Sequence, residues 1–114
     1  MGWRSRIPKT MTKAHLKTIV ILQKHNVRYN VEKFFQLEPR GFVVADIYLP
    51  DKGVNGMRLE CDGEFHGPKA DKDAEKDERL MKQHGIPTIR LKNNQILRKD
   101  GEKYIMESIE SEAS

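Results

Sequence analysis

The sequence has only one cysteine, Cys61, and no long apolar run. A single cysteine excludes an intrachain disulfide and argues against a cysteine-based zinc site, which fits a reducing compartment. The longest apolar run, residues 18–22, is far shorter than the roughly 20 residues of a membrane-spanning helix. The first residues also lack the apolar core of a secretory signal. We therefore expect a soluble, cytoplasmic protein with no membrane partner.

Apolar residues are also scarce, at 37% of the chain, whereas charged residues reach 33%. This balance suits one small domain with a broad polar surface, and 114 residues are enough for one modest core. Lys and Arg outnumber Asp and Glu by 21 to 17, and the basic excess lies in the N-terminal third, whereas the C-terminal end is acidic. A basic face near the N-terminus predicts an anionic partner such as nucleic acid.

Composition and periodicity predict three parts: a basic N-terminal arm over 1–11, a core over 12–98, and a C-terminal helix with an acidic tail over 99–114. The core begins with apolar residues at helical spacing, which predict an amphipathic helix over 13–25. Its apolar positions are Leu16, Ile19, Val20 and Leu22.

The period then changes from 3.6 to 2. Alternating and β-prone runs predict three antiparallel strands, at 27–35, 42–49 and 56–62. The later elements are a charged helix over 69–84, a strand over 86–91, a loop at 92–94 and a helix over about 100–110. Ile105 and Ile109 share one side of the last helix and pack either on the sheet or on a second subunit. The order indicates an α+β domain: a helix, an antiparallel meander, a helix, a strand and a C-terminal helix.

The segment RLECDGEFHG, residues 58–67, places three carboxylates and a histidine close together. Glu60 and Asp62 are two residues apart on a predicted strand, so they share one face. The preceding strand carries Asp46 within the apolar run FVVADIYLP, where a carboxylate is costly unless it is paired, hydrogen-bonded or bound to a metal. Converging carboxylates favour Mg²⁺, with Mn²⁺ as a substitute, over zinc. Such an ion activates water for phosphate-ester hydrolysis, with His66 as proton carrier. The alternative is a satisfied strand Asp and a turn at Asp62-Gly63.

Four segments together resemble the PD-(D/E)XK nuclease superfamily: FVVADIYLP, RLECDGEFH, the charged stretch Asp73-Ala74-Glu75-Lys76, and GIPTIRL. The chain is most similar to the branch of small Vsr-like (very short patch repair-like) endonuclease domains. In that branch a strand Asp, an E-x-D-G-x-x-H segment, a helical D-x-x-K/R-x-x-x-L and a G-x-x-x-x-R strand recur. The similarity spans about residues 12–97. It implies a three-layer-like α/β/α core of the restriction-endonuclease type.

The resemblance assigns roles to individual residues. It implies that Asp46, Glu60 and the backbone carbonyl of Cys61 hold the metal. By the same similarity, His66 and Asp73 are general acid/base or leaving-group residues.

Two positions differ from the family pattern. Asp62 stands where the superfamily usually has a lysine, as is normal in the Vsr-like branch, and there it supports the catalytic groups. Water activation then falls to His66 or to a lysine such as Lys69 or Lys72. His15, in the context Thr12-Lys13-Ala14-His15, stands where the branch often has a Glu. It either replaces that Glu as a ligand or proton carrier or marks an altered site.

Basic residues on the arm, the first helix, the charged helix and the last strand are the predicted contacts to nucleic acid. They are Arg4, Arg6, Lys13, Lys17, Lys69, Lys72, Lys76 and Arg90. A domain of this size grips little duplex alone, so a homodimer or a partner protein is also expected.

The function predicted from these features is that of a Mg²⁺-dependent DNA endonuclease that nicks or cuts phosphodiester bonds. An alternative is a catalytically inactive nucleic-acid-binding module that keeps a nuclease-like fold. A third possibility is a protein-interaction domain that uses the charged helix and the acidic tail.

Overall fold

A computed structural model of the protein describes residues 12–62 and 68–113, with the backbone alone at residues 68–70. Within these residues, four helices and four strands follow one another. In order they are α1 (Lys13–Lys24), β1 (Asn30–Gln36), β2 (Phe42–Leu49), β3 (Met57–Asp62), α2 (Pro68–His84), β4 (Thr88–Lys92), α3 (Asn93–Ile96) and α4 (Gly101–Ala113). In the described part of the chain, no helix is long and apolar enough to cross a bilayer.

The strands form one mixed sheet in the order β1-β2-β3-β4. The pairs β1–β2 and β2–β3 are antiparallel, whereas β4 runs parallel to β3. The parallel pair follows from the crossover through α2, because a parallel neighbour can be reached only by a long connection. The predicted α+β architecture, with a meander extended by a later strand, is confirmed.

The first helix forms as predicted but buries a different face. Thr12 caps it, accepting a hydrogen bond from the backbone N–H of His15 at 3.3 Å. Leu16 and Val20, expected on the apolar face, are 53% and 60% exposed. The buried positions are instead Ala14, His15, Thr18, Ile21 and Leu22. Thr18 Oγ1 of this face lies 3.6 Å from Cys61 Sγ of β3, so the apolar positions predicted from the sequence were only partly right.

Helices cover both faces of the sheet. The larger cluster joins α1, α3 and α4 to the central strands through Ala14, Ile21, Leu22, Ile47, Leu49, Met57, Leu59, Leu91, Ile96, Ile105 and Ile109. The smaller cluster contains Phe35, Leu37, Val43, Ala45, Leu80 and Ile86. Leu59 of β3 belongs to the larger cluster, whereas its neighbour Arg58 contacts Asp77 of α2. Since neighbouring strand residues point to opposite faces, α2 lies on the face away from α1 and α4.

Strand β2 changes faces at Asp46. Val43 and Ala45 belong to the smaller cluster, whereas Ile47 and Leu49 belong to the larger one. In a regular strand all four residues would share one face. The strand therefore turns over between residues 45 and 47, where Asp46 lies half-buried.

Strand β1 is distorted at the same level. The β1–β2 ladder pairs the residues on either side of Glu32 but not Glu32 itself, which lies opposite Asp46 in that register. Glu32 has a φ of 53°, a left-handed conformation that costs a residue with a side chain roughly 1 kcal/mol. Backbone irregularity of this kind often accompanies a functional site.

The C-terminal part of the chain differs from expectation in one detail and decides between two alternatives in another. The stretch predicted as a loop contains the short helix α3, which buries Ile96. Ile105 and Ile109 of α4 are fully buried in the larger cluster, so the first of the two alternatives, packing within the chain, is confirmed.

Leu80→Ala tests the packing of α2. Leu80 is 0% exposed, and its truncation is expected to lower the free energy of unfolding by about 2–5 kcal/mol in urea titrations. Met81→Ala is the matched control, because Met81 is the next residue and is 51% exposed. Equal losses in the two variants would contradict this packing.

Candidate functional site

Asp46 and Glu60 lie next to each other on antiparallel strands. Ile47 of β2 pairs with Leu59 of β3, and the adjoining residues, Asp46 and Glu60, are therefore neighbours across the two strands. Their side chains are 31% and 14% exposed. The distortion of β2 thus holds one carboxylate at the surface beside another that is nearly buried.

Burial raises the pKa of Glu60 to about 7. The positive charge of Arg58 and a hydrogen bond from the backbone of Asp46 oppose the shift, and the negative charge of Asp46 adds to it. Glu60 Oε2 is buried, and no hydrogen-bond partner for it lies among the described residues. A buried carboxylate oxygen without a partner carries a desolvation cost, which a bound proton or a cation would offset.

Arg58 is a site residue that the sequence patterns did not single out. It is nearly buried, and its Nη2 lies 3.2 Å from Glu60 Oε1. Its Nη1 donates a hydrogen bond to Asp77 Oδ1 of α2 at 2.8 Å. The spacing Arg58-x-Glu60 on a strand already implied a shared face, so the arginine was detectable from the sequence.

Arg90 of β4 continues the same set of contacts. Its Nε and Nη2 donate to Asp77 Oδ2 at 3.1 and 2.7 Å, and its Nη1 donates to Asp62 Oδ2 at 2.9 Å. Burial opposes the charge of Arg90, but these hydrogen bonds from the guanidinium to Asp62 and Asp77 raise its pKa. We call this series of side-chain contacts, Glu60–Arg58–Asp77–Arg90–Asp62, the carboxylate–arginine network.

Asp77 was also missed by sequence reasoning. It lies four residues after Asp73 and three before Leu80, so all three share the face of α2 that turns to the sheet. Asp73 is half-buried there. The signal was available in the helical spacing, but the partners of Asp77 lie on two strands distant in sequence.

His15 of α1 lies beside Asp46. Its side chain is 5% exposed, and its Nε2 lies 3.5 Å from Asp46 Oδ2. The role of this histidine as a ligand or proton carrier stays a prediction. A protonated imidazole here would balance one carboxylate charge.

The Cys61 side chain points away from the network. Its Sγ lies 3.6 Å from Thr18 Oγ1 of α1. Burial raises the pKa of this thiol to about 11; the contact with Thr18 opposes the shift, and the carboxylates of Glu60, Asp46 and Asp62 contribute to it. Any role in metal binding would therefore fall to the backbone carbonyl, which stays a prediction.

The other predicted site residues are spread over the surface or fall outside the description. Lys13, Lys72 and Lys76 are exposed, whereas Lys17 Nζ donates to the carbonyl of Arg98 at 2.8 Å. Lys76 Nζ lies 6.0 Å from the centre of the Phe42 ring. Arg4, Arg6, His66 and the side chain of Lys69 lie outside the described residues.

The charges of the site leave an excess of carboxylates. Asp46, Glu60, Asp62 and Asp77 face Arg58 and Arg90, so with every carboxylate ionised four negative charges meet two positive ones and two negative charges remain. Within the described ranges, no three His, Cys, Asp or Glu side chains converge on one point suited to a metal. The predicted ligand set needs only Asp46, Glu60 and one carbonyl.

The arrangement can serve two kinds of chemistry. A divalent cation would balance the two remaining charges, and oxygen ligands suit Mg²⁺ or Mn²⁺. Without a cation, a carboxyl group with a pKa near 7, as for Glu60, is suited to exchange a proton at neutral pH.

Comparison with known proteins adds no relative. No protein-family model, curated protein or solved structure matches the chain.

Glu60→Gln tests the burial of the carboxylate through the pH dependence of stability. Because the pKa of Glu60 is about 7 in the folded protein and 4.5 for an ordinary glutamate, the folded protein keeps a proton that the unfolded chain loses between these pH values. The stabilisation from this proton is complete below about pH 4.5 and is lost as pH rises through about 7. The stability of the wild type relative to Glu60→Gln should therefore fall by on the order of 3 kcal/mol between pH 4.5 and 8. Urea titrations in EDTA measure it. Glu78→Gln is the control, because Glu78 is 66% exposed; the same pH dependence in both variants would refute the assignment.

Cys61 should react slowly with a thiol reagent in the folded protein. At pH 8 a pKa of about 11 instead of 9 lowers the thiolate fraction by about 100-fold. Labelling with a chromogenic disulfide, in native buffer and in denaturant, measures the ratio. Labelling of the native protein at the denatured rate would show that the thiol is neither buried nor shifted.

Proposed function

We propose that the protein is a metal-dependent DNA endonuclease that nicks or cuts phosphodiester bonds. The observation that carries the proposal is the adjacency of Asp46 and Glu60 on neighbouring strands, together with the unpartnered Oε2 of Glu60. Two carboxylates that repel each other in a partly buried place cost stability. A site that keeps them despite the cost is a candidate for function.

The fold supports the proposal in a specific way. The sheet places both carboxylates where β2 changes faces, and helices lie on both sides of it. Within the proposal this arrangement is the three-layer core of the restriction-endonuclease type that the sequence resembles. Asp73, half-buried on α2, is then a general acid/base candidate, and so is His66, which lies outside the described residues.

Mg²⁺, or Mn²⁺ in its place, fits the residues present. Glu60 Oε2 is buried without a partner in the described structure, and the surrounding charges leave two negative charges. Asp46 and Glu60 would hold the ion with the Cys61 carbonyl; a bound divalent ion lowers the pKa of water and stabilises charge on a phosphate. The role of the chain's own residues is to orient those oxygens, and Arg58 does so at Glu60 Oε1.

DNA is the proposed substrate. The chain carries a formal charge of +4, which favours a polyanion. Exposed Lys13 on α1 and exposed Lys72 and Lys76 on α2 are available for phosphates. Arg90 donates hydrogen bonds to Asp62 and Asp77. In addition to its positive charge, it therefore contributes to the site by holding these two carboxylates.

One observation favours the alternative of an inactive nucleic-acid-binding module. His15 Nε2 lies 3.5 Å from Asp46 Oδ2, where an imidazolium would replace part of the charge that a cation supplies. In that case the chain binds nucleic acid, the binding does not need a metal, and no product forms.

The variants Asp46→Asn and Glu60→Gln distinguish the endonuclease from the inactive binding module. Supercoiled, linear, mismatched and branched DNAs are incubated with purified protein in Mg²⁺, Mn²⁺ or EDTA. Cleavage should require the metal and fall by at least about 100-fold in either variant, because even indirect metal partners contribute 10–100-fold. Circular dichroism verifies folding, and Glu78→Gln serves as the control.

Wild-type rates in both folded variants would refute the endonuclease proposal. DNA binding in EDTA, with no cleavage of any substrate in either metal, would support the binding module instead.

A further inference from the structure

The carboxylate–arginine network leaves strand β3 and returns to it through one helical residue. It starts at Glu60, passes through Arg58 to Asp77 of α2, continues to Arg90 of β4 and ends at Asp62. Each oxygen of Asp77 serves one arginine: Oδ1 accepts from Arg58, and Oδ2 accepts from Arg90. The side chain of Asp77 is 21% exposed, so these contacts are only partly screened by water.

We infer that Asp77 is a positioning residue for the candidate site. By holding Arg58 and Arg90 it fixes the Glu60 and Asp62 carboxylates and sets the affinity of the site for a divalent cation. This inference rests on the proposed function, since it assumes that the cation binds at Glu60.

The first half of the network determines which oxygen of Glu60 is free. Arg58 is 10% exposed, and its Nε has no hydrogen-bond partner within the described residues. Its orientation therefore depends on the contacts of Nη1 and Nη2, of which the 2.8 Å bond to Asp77 is the shorter. With Arg58 held in place, Glu60 Oε1 is occupied and Oε2 is left for a ligand.

The second half of the network holds Asp62. Arg90 binds Asp77 through two nitrogens and offers the third, Nη1, to Asp62 Oδ2 at 2.9 Å. A guanidinium held at two points has little freedom left. Asp62 is thus oriented on the same strand face as Glu60 by the residue that orients Arg58.

The charge of Asp77 acts in the same direction as its geometry. Without it, two arginines would face Glu60 and Asp62 with equal and opposite charge, and only Asp46 would remain in excess. With it, the excess is two negative charges, which one divalent cation matches. Loss of the Asp77 charge therefore weakens cation binding through both orientation and electrostatics.

Asp77→Asn tests the inference by Mn²⁺ binding, which needs no substrate and no turnover. Calorimetry or electron paramagnetic resonance on the folded variant should give a Kd about 10–100-fold weaker than wild type, the usual effect of losing a partner of a metal ligand. Glu78→Gln, at the next position on α2 and 66% exposed, should bind as wild type does. A folded Asp77→Asn protein with a Kd within twofold of wild type would overturn the inference.

Arg58→Lys provides a second test should Asp77→Asn fail to fold. Lysine keeps the positive charge but cannot span Glu60 and Asp77 with two nitrogens. Weaker Mn²⁺ binding in this variant supports positioning by the network. An unchanged Kd shows that charge alone suffices and overturns it.

A metal-free measurement separates this inference from the proposed function. A wild-type protein that binds no Mn²⁺ would refute the metal site itself. In that case the Arg90 Nε–Hε signal in ¹⁵N–¹H spectra still reports on Asp77, its acceptor at 3.1 Å. Loss or a large shift of that signal in Asp77→Asn supports the orientation of Arg90 by Asp77 without any metal, and an unchanged signal overturns it.

Discussion

The contact of Asp77 with two arginines on neighbouring parallel strands is the interaction on which the arrangement of this protein depends. Helix α2 has few apolar residues, and Leu80 is the one that is fully buried among its described side chains. Hydrophobic burial of one leucine contributes only about 2–3 kcal/mol, so a charged helix needs a further attachment to the sheet. The Arg58 and Arg90 contacts contribute to it at partly buried positions, where charge-assisted hydrogen bonds are strong, together with hydrogen bonds of Arg79, Gln83 and His84 to the backbone of residues 36–40.

The same contact explains why the sheet tolerates so many carboxylates. Glu60 and Asp62 on β3 are each matched by an arginine, and Asp77 lies between the two arginines. Asp46 is outside this pairing and lies where β2 turns over, beside His15. Most polar contacts of the site therefore contribute to stability. The free Oε2 of Glu60 and its proximity to Asp46 do not. Glu60 Oε2 and Asp46 are therefore the groups of the site that are suited to bind a cation or exchange a proton.

Some parts of this arrangement were predictable because they depend on local spacing. The pair Glu60 and Asp62 shares a face as any residues two apart on a strand do, and Asp46 was conspicuous as a charge within an apolar run. The helical period likewise predicted α1 and α4, and the charged composition before Gly85 predicted α2. Leu16 and Val20 were misassigned because periodicity identifies an apolar stripe but not which side of the helix the sheet covers, and here that side carries Ala14 and Thr18. Local spacing could have placed Arg58 and Asp77 on the correct faces, but the contacts that give them their roles could not be predicted, since they join residues 13 or more positions apart.

By itself, the sequence determined the order of the strands and of helices α1, α2 and α4, the α+β class and the faces on which the acidic residues of β3 lie. These properties follow from periods of 3.6 and 2, which the chain carries locally. Only the tertiary structure decided that β4 pairs parallel to β3, that β2 changes faces at Asp46 and that Asp77 connects two arginines. Those features depend on contacts between segments that are far apart in the sequence. Local patterns of residues do not show which distant strand or charged side chain a segment will contact.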